Sequence, residues 1–315
     1  MSRKSRILVL DPHAEAIAAA VRERISPKET VIIAVRPEMV RDDEPAAICL
    51  GRPDMIVAAA RRLPNLSWVQ STWAGVRPLL PLMAERPELS VSAAKGIFGD
   101  AIAEYVVGWL LALDRGVLDY RAQQVRGDWR PLPERSPVNR TAVVLGTGSI
   151  GARVAERLTQ FGMAVRGVSR EGAQVPAFVR CWPVAERLMA TRSADLVVNT
   201  LPETPQTRGL ADAELFAALA DDARFINVGR GSVVDEAALL AGIARGRPGA
   251  AVLDVFEEEP LPAEHPYWST PSIYVTPHVA ARTDAKKIGQ LFTDNLARHQ
   301  RGASLVGAVD PVRGY

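Results

Sequence analysis

Cysteine is nearly absent: the 315-residue chain contains two, Cys49 and Cys181, far apart and without the spacing of a disulfide framework or a ligand set. They read as two small buried hydrophobes of a reducing compartment, and no metal site is expected. An excess of charge is missing too. The 38 Lys and Arg against 36 Asp and Glu leave a net charge of +2, with the arginines interspersed among acids, which argues against a nucleic-acid partner. Long hydrophobic runs are also lacking. The stretch "YVVGWLLAL" at 105–113 is about half a membrane span. The basic start leads into only Ile7 to Leu10 of continuous apolar sequence before Asp11, too short for the core of an export signal. A soluble, cytoplasmic protein with no membrane partner is expected. Histidine is scarce as well, four residues in all. His278, in "VTPHVAA", follows a proline at the end of a β-branched run, and its imidazole is of the type that trades a proton near neutral pH.

What is present is ordinary globular material, 48% apolar and 23% charged, in a length that calls for two domains. Short β-rich runs alternate with helical patterns. "RILVL" (6–10) precedes a helix over 14–24, then come "TVIIAV" (30–35), "AAICL" (46–50), a helix over 54–62 and "LSWVQS" (66–71). This alternation predicts a parallel sheet covered by helices. From Asp100 a helix shows apolar residues at Ile102, Tyr105, Val106, Trp109, Leu110, Leu113 and Val117, spaced by three and four. The polar, proline-rich stretch 126–140 reads as a connection. The alternation then restarts, with strands "TAVVLG", "AVRGV", "DLVVNT", "ARFINV", "AAVLDV" and "SIYVTP" and helices over 150–161, 183–191, 212–219 and 235–244. Residues 100–281 are thus a second α/β unit. The remaining helix and tail are too small for a domain and are expected to return to the first unit.

"VVLGTGSIG" places Gly146, Gly148 and Gly151 as G-x-G-x-x-G, directly after a strand and opening a helix. The first glycine permits the tight turn, the second lets a pyrophosphate approach the backbone, and the third lets helix and strand pack closely. The N–H groups near Ser149 and Ile150 then face the anion at a helix start. With a second strand at the right distance, this context predicts dinucleotide binding. That second strand ends in "GVSR". Ser169 and Arg170 stand where an NAD site carries an acidic residue, and they suit a 2′-phosphate, so NADP(H) is favoured over NAD(H). The competing reading leaves Arg170 solvated and gives the ribose to Glu171.

Three further segments end predicted strands: "INVGRGSVVDE" with Arg230, "LDVFEEEPLP" with Asp254 and Glu259, and "VTPHVAA" with His278. Ligands of open α/β sheets bind outside the carboxyl ends of the strands, so these residues have reason to converge. Singly, each has a plain structural role: a surface ion pair for Arg230, a solvated acidic run for Glu259, a packed imidazole for His278. Together they suit reduction of a 2-keto acid. A histidinium donates the proton, a carboxylate keeps it charged and oriented, and an arginine binds the substrate carboxylate or polarises the ketone. Asp254 is expected to face the cofactor.

These segments resemble the D-isomer-specific 2-hydroxyacid dehydrogenase family, most strongly from Gly146 to Ala281. The resemblance implies that Arg230, Glu259 and His278 are the catalytic residues, with Arg230 and His278 also touching substrate. It implies that the loop "TLPETPQTRG", through Leu201, Pro202 and Thr207, lines the cofactor together with Val228, Gly229 and Ala280. It implies that the turn Trp73, Ala74, Gly75, Val76 holds the substrate carboxylate through backbone N–H groups. The fold implied is two Rossmann-like parallel-sheet domains, a flavodoxin-like substrate domain over 1–99 plus 282–315 and a dinucleotide-binding domain over 100–281. A homodimer paired through the latter is implied, a role that the helix from Asp100 fits.

Within the family, "SR", the stretch 119–134 and the ending "VDPVRGY" look like NADPH-dependent glyoxylate/hydroxypyruvate reductases. Trp73 stands where many members carry a smaller residue, and Arg77 replaces a frequent Asp. Both bear on the substrate more than on the reaction. Pro277, in place of a glutamine, disfavours formate, and the absence of a regulatory domain disfavours a long-form phosphoglycerate dehydrogenase. The rival readings are a nucleotide-sensing, corepressor-like scaffold and an NAD-dependent dehydrogenase of a bulkier D-2-hydroxy acid.

Overall fold

The structure, a computed structural model, describes residues 6–27 and 29–314. The basic residues before Arg6 and the final Tyr315 of the "VDPVRGY" ending lie outside the described residues. The chain divides into two compact units, one running to Ile97 and resuming at Thr283, the other spanning Phe98–Arg282.

The first unit begins with β1 (Arg6–Leu10), α1 (Ala14–Arg22), β2 (Thr30–Ala34), β3 (Ile48–Gly51), α2 (Pro53–Ala59), β4 (Trp68–Ser71), α3 (Leu80–Glu85) and β5 (Ser90–Ser92). Its strands form a parallel sheet in the order β2-β1-β3-β4-β5. Ile7 to Leu10 are wholly buried, as a parallel strand covered on both faces must be. Helix α1 turns Ala14, Ile17, Ala18 and Val21 inward, the three-and-four spacing that makes one apolar face.

The second unit contains α4 (Gly99–Asp114), α5 (Val117–Arg126), β6 (Thr141–Leu145), α6 (Ser149–Gln160), β7 (Ala164–Ser169), β8 (Arg180–Pro183), α7 (Arg187–Thr191), β9 (Leu196–Asn199), α8 (Ala213–Ala218), β10 (Arg224–Asn227), α9 (Glu236–Ala244), β11 (Ala250–Leu253) and β12 (Ile273–Val275). The strands are all parallel, in the order β12-β11-β10-β9-β6-β7-β8. The order reverses between β6 and β9, which places the switch point of the sheet beside the glycine turn that follows β6.

Helix α10 (Ala285–Gln300) belongs to the first unit, where Phe292 stacks on Trp68 at 5.3 Å and Asn295 Nδ2 donates to Gln70 Oε1 at 2.8 Å. Among the described residues, no helix is long and apolar enough to cross a membrane.

Three local expectations need correction. The helix from Asp100 does not continue to Val117: it stops at Asp114, Gly116 takes a left-handed φ of 61°, and Val117 opens α5 half exposed. A left-handed residue cannot extend a right-handed helix. Strands β5 and β8 are absent from the expected pattern because they are short edges with few apolar residues: Ser90 and Ser92 flank Val91 in one, and the other has only Cys181 and Trp182 between Arg180 and Pro183. The helix expected over 183–191 is a single 3-10 turn followed by the short α7, since Pro183 still pairs with Ser169 as the last residue of β8.

Candidate functional site

The glycine turn shows the three roles separately. Gly146 adopts φ 103°, and a Cβ there would meet Thr200 Oγ1 at 2.7 Å. A Cβ on Gly151 would collide with the Gly146 carbonyl oxygen, so helix α6 approaches the turn only without a side chain there. A Cβ on Gly148 would meet nothing within 4 Å. The two outer glycines are demanded by packing, while the middle one faces open space at the start of α6. The N–H groups at Ser149 and Ile150 lack intrahelical acceptors, as at any helix start. These residues fit a pyrophosphate.

At the end of β7, Ser169 Oγ accepts the Gly172 N–H at 3.2 Å, and Arg170 and Glu171 are exposed. The ends of β9 and β10 are joined by a buried amide pair, Asn199 Nδ2 donating to Asn227 Oδ1 at 2.8 Å. Asn199 Oδ1 accepts the Leu201 N–H at 3.1 Å, and Asn227 Oδ1 accepts the Gly229 N–H at 3.1 Å. Gly229 is confined as well, because a Cβ there would meet Leu201 O at 2.8 Å. Val228 is buried and donates its N–H to Asn199 O at 3.1 Å. In the 201–207 loop, the Thr207 hydroxyl donates to Pro202 O at 2.7 Å and accepts the Thr204 N–H at 2.9 Å, so it closes the loop.

Arg230 lies just beyond β10, with its carbonyl held by Asn227 Nδ2 at 3.1 Å. Among the described residues its guanidinium has one hydrogen bond, to Gly229 O at 2.6 Å. Burial pushes this guanidinium below its ordinary value, against the pull of the Glu259 and Glu203 charges. Its remaining donors are thereby left for an anion.

Asp254, at the end of β11, is buried. Its Oδ1 accepts from Thr276 Oγ1 at 2.6 Å and from the Val279 N–H at 2.8 Å, its Oδ2 accepts the Ala280 N–H at 2.9 Å, and its carbonyl accepts the His278 N–H at 2.9 Å. The expectation that it faces the cofactor therefore omits its main occupation, which is to hold the loop after β12. Thr276 Oγ1 also lies 2.6 Å from Tyr105 OH on α4.

His278 sits in that loop with φ 51°, a conformation that costs free energy in a residue with a Cβ and is kept only where neighbours enforce it. Its Nδ1 meets Glu259 Oε2 at 2.8 Å, and Glu259 Oε1 accepts the Phe256 N–H at 3.0 Å. Burial raises the Glu259 carboxyl. The hydrogen bonds from His278 and Phe256 and the charges of His278 and Arg230 outweigh that and leave it below its ordinary value.

In the first unit, the turn after β4 is held by Ser71, whose hydroxyl accepts the Trp73 N–H at 2.9 Å and donates to Trp73 O at 2.8 Å. Thr72 Oγ1 donates to Asp11 Oδ2 at 2.9 Å. The N–H groups of Ala74, Gly75 and Val76 have no acceptor among the described residues. Successive N–H groups of this kind form an anion-binding concavity. The Val76 side chain is in the core, so the backbone is what it can offer a ligand. The Trp73 ring lies under the Arg52 guanidinium at 4.7 Å.

The sequence profile of the D-isomer specific 2-hydroxyacid dehydrogenase NAD binding domain matches residues 107–280. The chain belongs to the D-isomer specific 2-hydroxyacid dehydrogenase family. As a member of this family it is an NAD(P)-dependent oxidoreductase. It is similar to glyoxylate/hydroxypyruvate reductase A of Yersinia enterocolitica, with 40% identity over 67% of this chain and 68% of that protein. The Salmonella paratyphi B protein of the same name is 35% identical over 89% of this chain and 91% of its own length. Among solved structures, the NADPH-dependent glyoxylate/hydroxypyruvate reductase of Sinorhizobium meliloti in complex with NADP and sulfate superposes with a TM-score of 0.87 at 32% identity, over 99% of this chain and 100% of that one.

Sequence reasoning missed Asn199, Asn227, Tyr105 and Thr276. The first two left a signal: an amide ends each of two strands directly after a pair of apolar residues, "LVVN" and "RFIN". Buried polar groups at such positions require partners. Tyr105 left none, since an aromatic on the inner face of a helix reads as core.

Proposed function

We propose that this dehydrogenase reduces small 2-keto acids, glyoxylate and hydroxypyruvate foremost, with NADPH, and that His278 supplies the proton. The observation that carries the reading is the 2.8 Å contact of His278 Nδ1 with Glu259. A carboxylate on Nδ1 places a proton there and leaves Nε2–H as the donor toward a developing alkoxide. Glu259 stabilises the imidazolium and is itself anchored by Phe256 N–H. Arg230 offers charge-assisted hydrogen bonds to the ketone oxygen or the carboxylate. The free N–H groups of Ala74 to Val76, beside Trp73, serve the substrate carboxylate.

When bound, the reduced nicotinamide supplies the hydride. Gly146, Gly148, Ser149, Ile150 and Gly151 hold the pyrophosphate, and Leu201, Pro202, Thr207, Val228, Gly229, Asp254 and Ala280 complete the cradle. Ser169 and Arg170 take the 2′-phosphate, a reading supported by the NADP carried by the Sinorhizobium relative. In this reading residues 100–281 are the dinucleotide-binding domain, residues 1–99 with 282–315 the substrate domain, and the protein is a cytoplasmic homodimer paired through the former.

The test follows the loss of reduced-nicotinamide absorbance with glyoxylate or hydroxypyruvate, with NADPH and NADH in parallel. Rapid NADPH-preferring turnover that falls by about 10²–10⁴ in His278→Ala is the expected result. Nucleotide binding without oxidation by either keto acid would overturn it in favour of the scaffold.

A further inference from the structure

The chain of hydrogen bonds from Tyr105 to the His278 loop has a fixed direction. Both Asp254 carboxylate oxygens already accept backbone N–H bonds, from Val279 and Ala280. The Thr276 hydroxyl therefore gives its single proton to Asp254 Oδ1, at 2.6 Å. A hydroxyl that has spent its proton can only accept further. Tyr105 OH, 2.6 Å from Thr276 Oγ1, must then be the donor. The relay runs Tyr105 to Thr276 to Asp254, and Asp254 in turn holds the loop, accepting the Val279 and Ala280 N–H groups through its carboxylate and the His278 N–H through its carbonyl.

Tyr105 itself is set by aromatic packing. It lies 6.3 Å from Trp109 on the same helix, and Trp109 lies 5.5 Å from Tyr274 of β12. Two independent links, one polar and one aromatic, thus tie α4 to the strand that delivers the histidine. His278 needs such support because its φ of 51° is not a conformation it would keep alone.

We propose that Tyr105 is a positioning residue for the acid–base pair: its hydroxyl, acting through Thr276, locks Asp254 and so holds His278 against Glu259. This rests on the reading of His278 as the proton donor. Burial, with the Asp254 charge adding to it and the Thr276 and Trp109 bonds opposing, pushes the Tyr105 phenol up to about 12. It keeps the proton that the relay requires.

The test is a double-mutant cycle on the purified full-length protein. Tyr105→Phe and Thr276→Val each lower kcat about tenfold with the keto-acid KM within about twofold, and the double variant loses no more than either alone. Thr276→Ser, which keeps the hydroxyl, recovers most of the rate. Losses that multiply, or an unchanged kcat in Tyr105→Phe, overturn the proposal. A second readout needs no turnover: the imidazole nitrogen resonances of His278, assigned with His278→Gln, are recorded in nucleotide-free protein. Tyr105→Phe and Thr276→Val shift or broaden them alike if the relay holds, and unchanged spectra overturn it. If the wild type reduces no keto acid, the functional reading fails, and the spectra alone then decide on the relay.

Discussion

Asn227 grips Arg230 from both sides: its Oδ1 accepts the N–H of Gly229 and its Nδ2 donates to the carbonyl of Arg230, each at 3.1 Å. The same oxygen accepts from Asn199, so one buried amide sets the exits of two neighbouring strands. Asn227→Ala strands the Asn199 Nδ2 donor and the Gly229 N–H and leaves the Arg230 carbonyl only the Val233 N–H, a loss of about 2–3 kcal/mol. We expect the melting transition to fall by roughly 5–10 °C, with the keto-acid KM rising as Arg230 drifts. A melt unchanged within error would show that the amide pair carries no such role.

The glycine turn separates folding from binding. Gly151→Ala forces a Cβ onto the Gly146 carbonyl oxygen and should destabilise the protein by at least about 1–3 kcal/mol, as overpacking does. Gly148→Ala meets nothing within 4 Å. It should melt like the wild type yet bind NADPH at least about tenfold more weakly, because the new methyl occupies the approach of the pyrophosphate. Thermal melts beside a fluorescence titration check both, and equal melts for the two variants would refute the division.

Glu259 makes stability depend on acid. Its folded carboxyl lies below its ordinary value, so its contribution is fully present above the unfolded value of about 4.3 and is lost as pH falls through the lower folded value. With the side chain 37% exposed, salt should weaken the effect. Melting curves of wild type and Glu259→Gln between neutrality and pH 3 should converge at the acid end. Parallel curves across that range would contradict this account.

Arg170 is exposed at the end of β7, and the proposed contact with a 2′-phosphate would add to NADPH affinity and nothing to NADH. Arg170→Ala should lower kcat/KM with NADPH about tenfold or more, the scale of one lost charge-assisted pair, and leave the NADH value within about twofold. An equal loss with both cofactors would place Arg170 outside the discrimination.

Much of the site was legible because its signals are local. The spacing of Gly146, Gly148 and Gly151 follows from what a tight turn, an approaching anion and a packed helix each require within six residues. Alternating β-rich and amphipathic runs likewise determine a parallel α/β architecture. They put Arg230, Asp254 and His278 at strand exits without any knowledge of the coordinates. Long-range pairings leave no such trace. That Asn199 meets Asn227, that Asp254 spends its oxygens on residues 276–280, and that Tyr105 donates to a threonine 171 positions away were decided by the packing of the second unit. Gly116 likewise ended the α4 helix one turn before the apolar periodicity did. The period of a sequence reports which face of an element is buried. It does not report which buried polar atoms will face one another, because that depends on strand order and register.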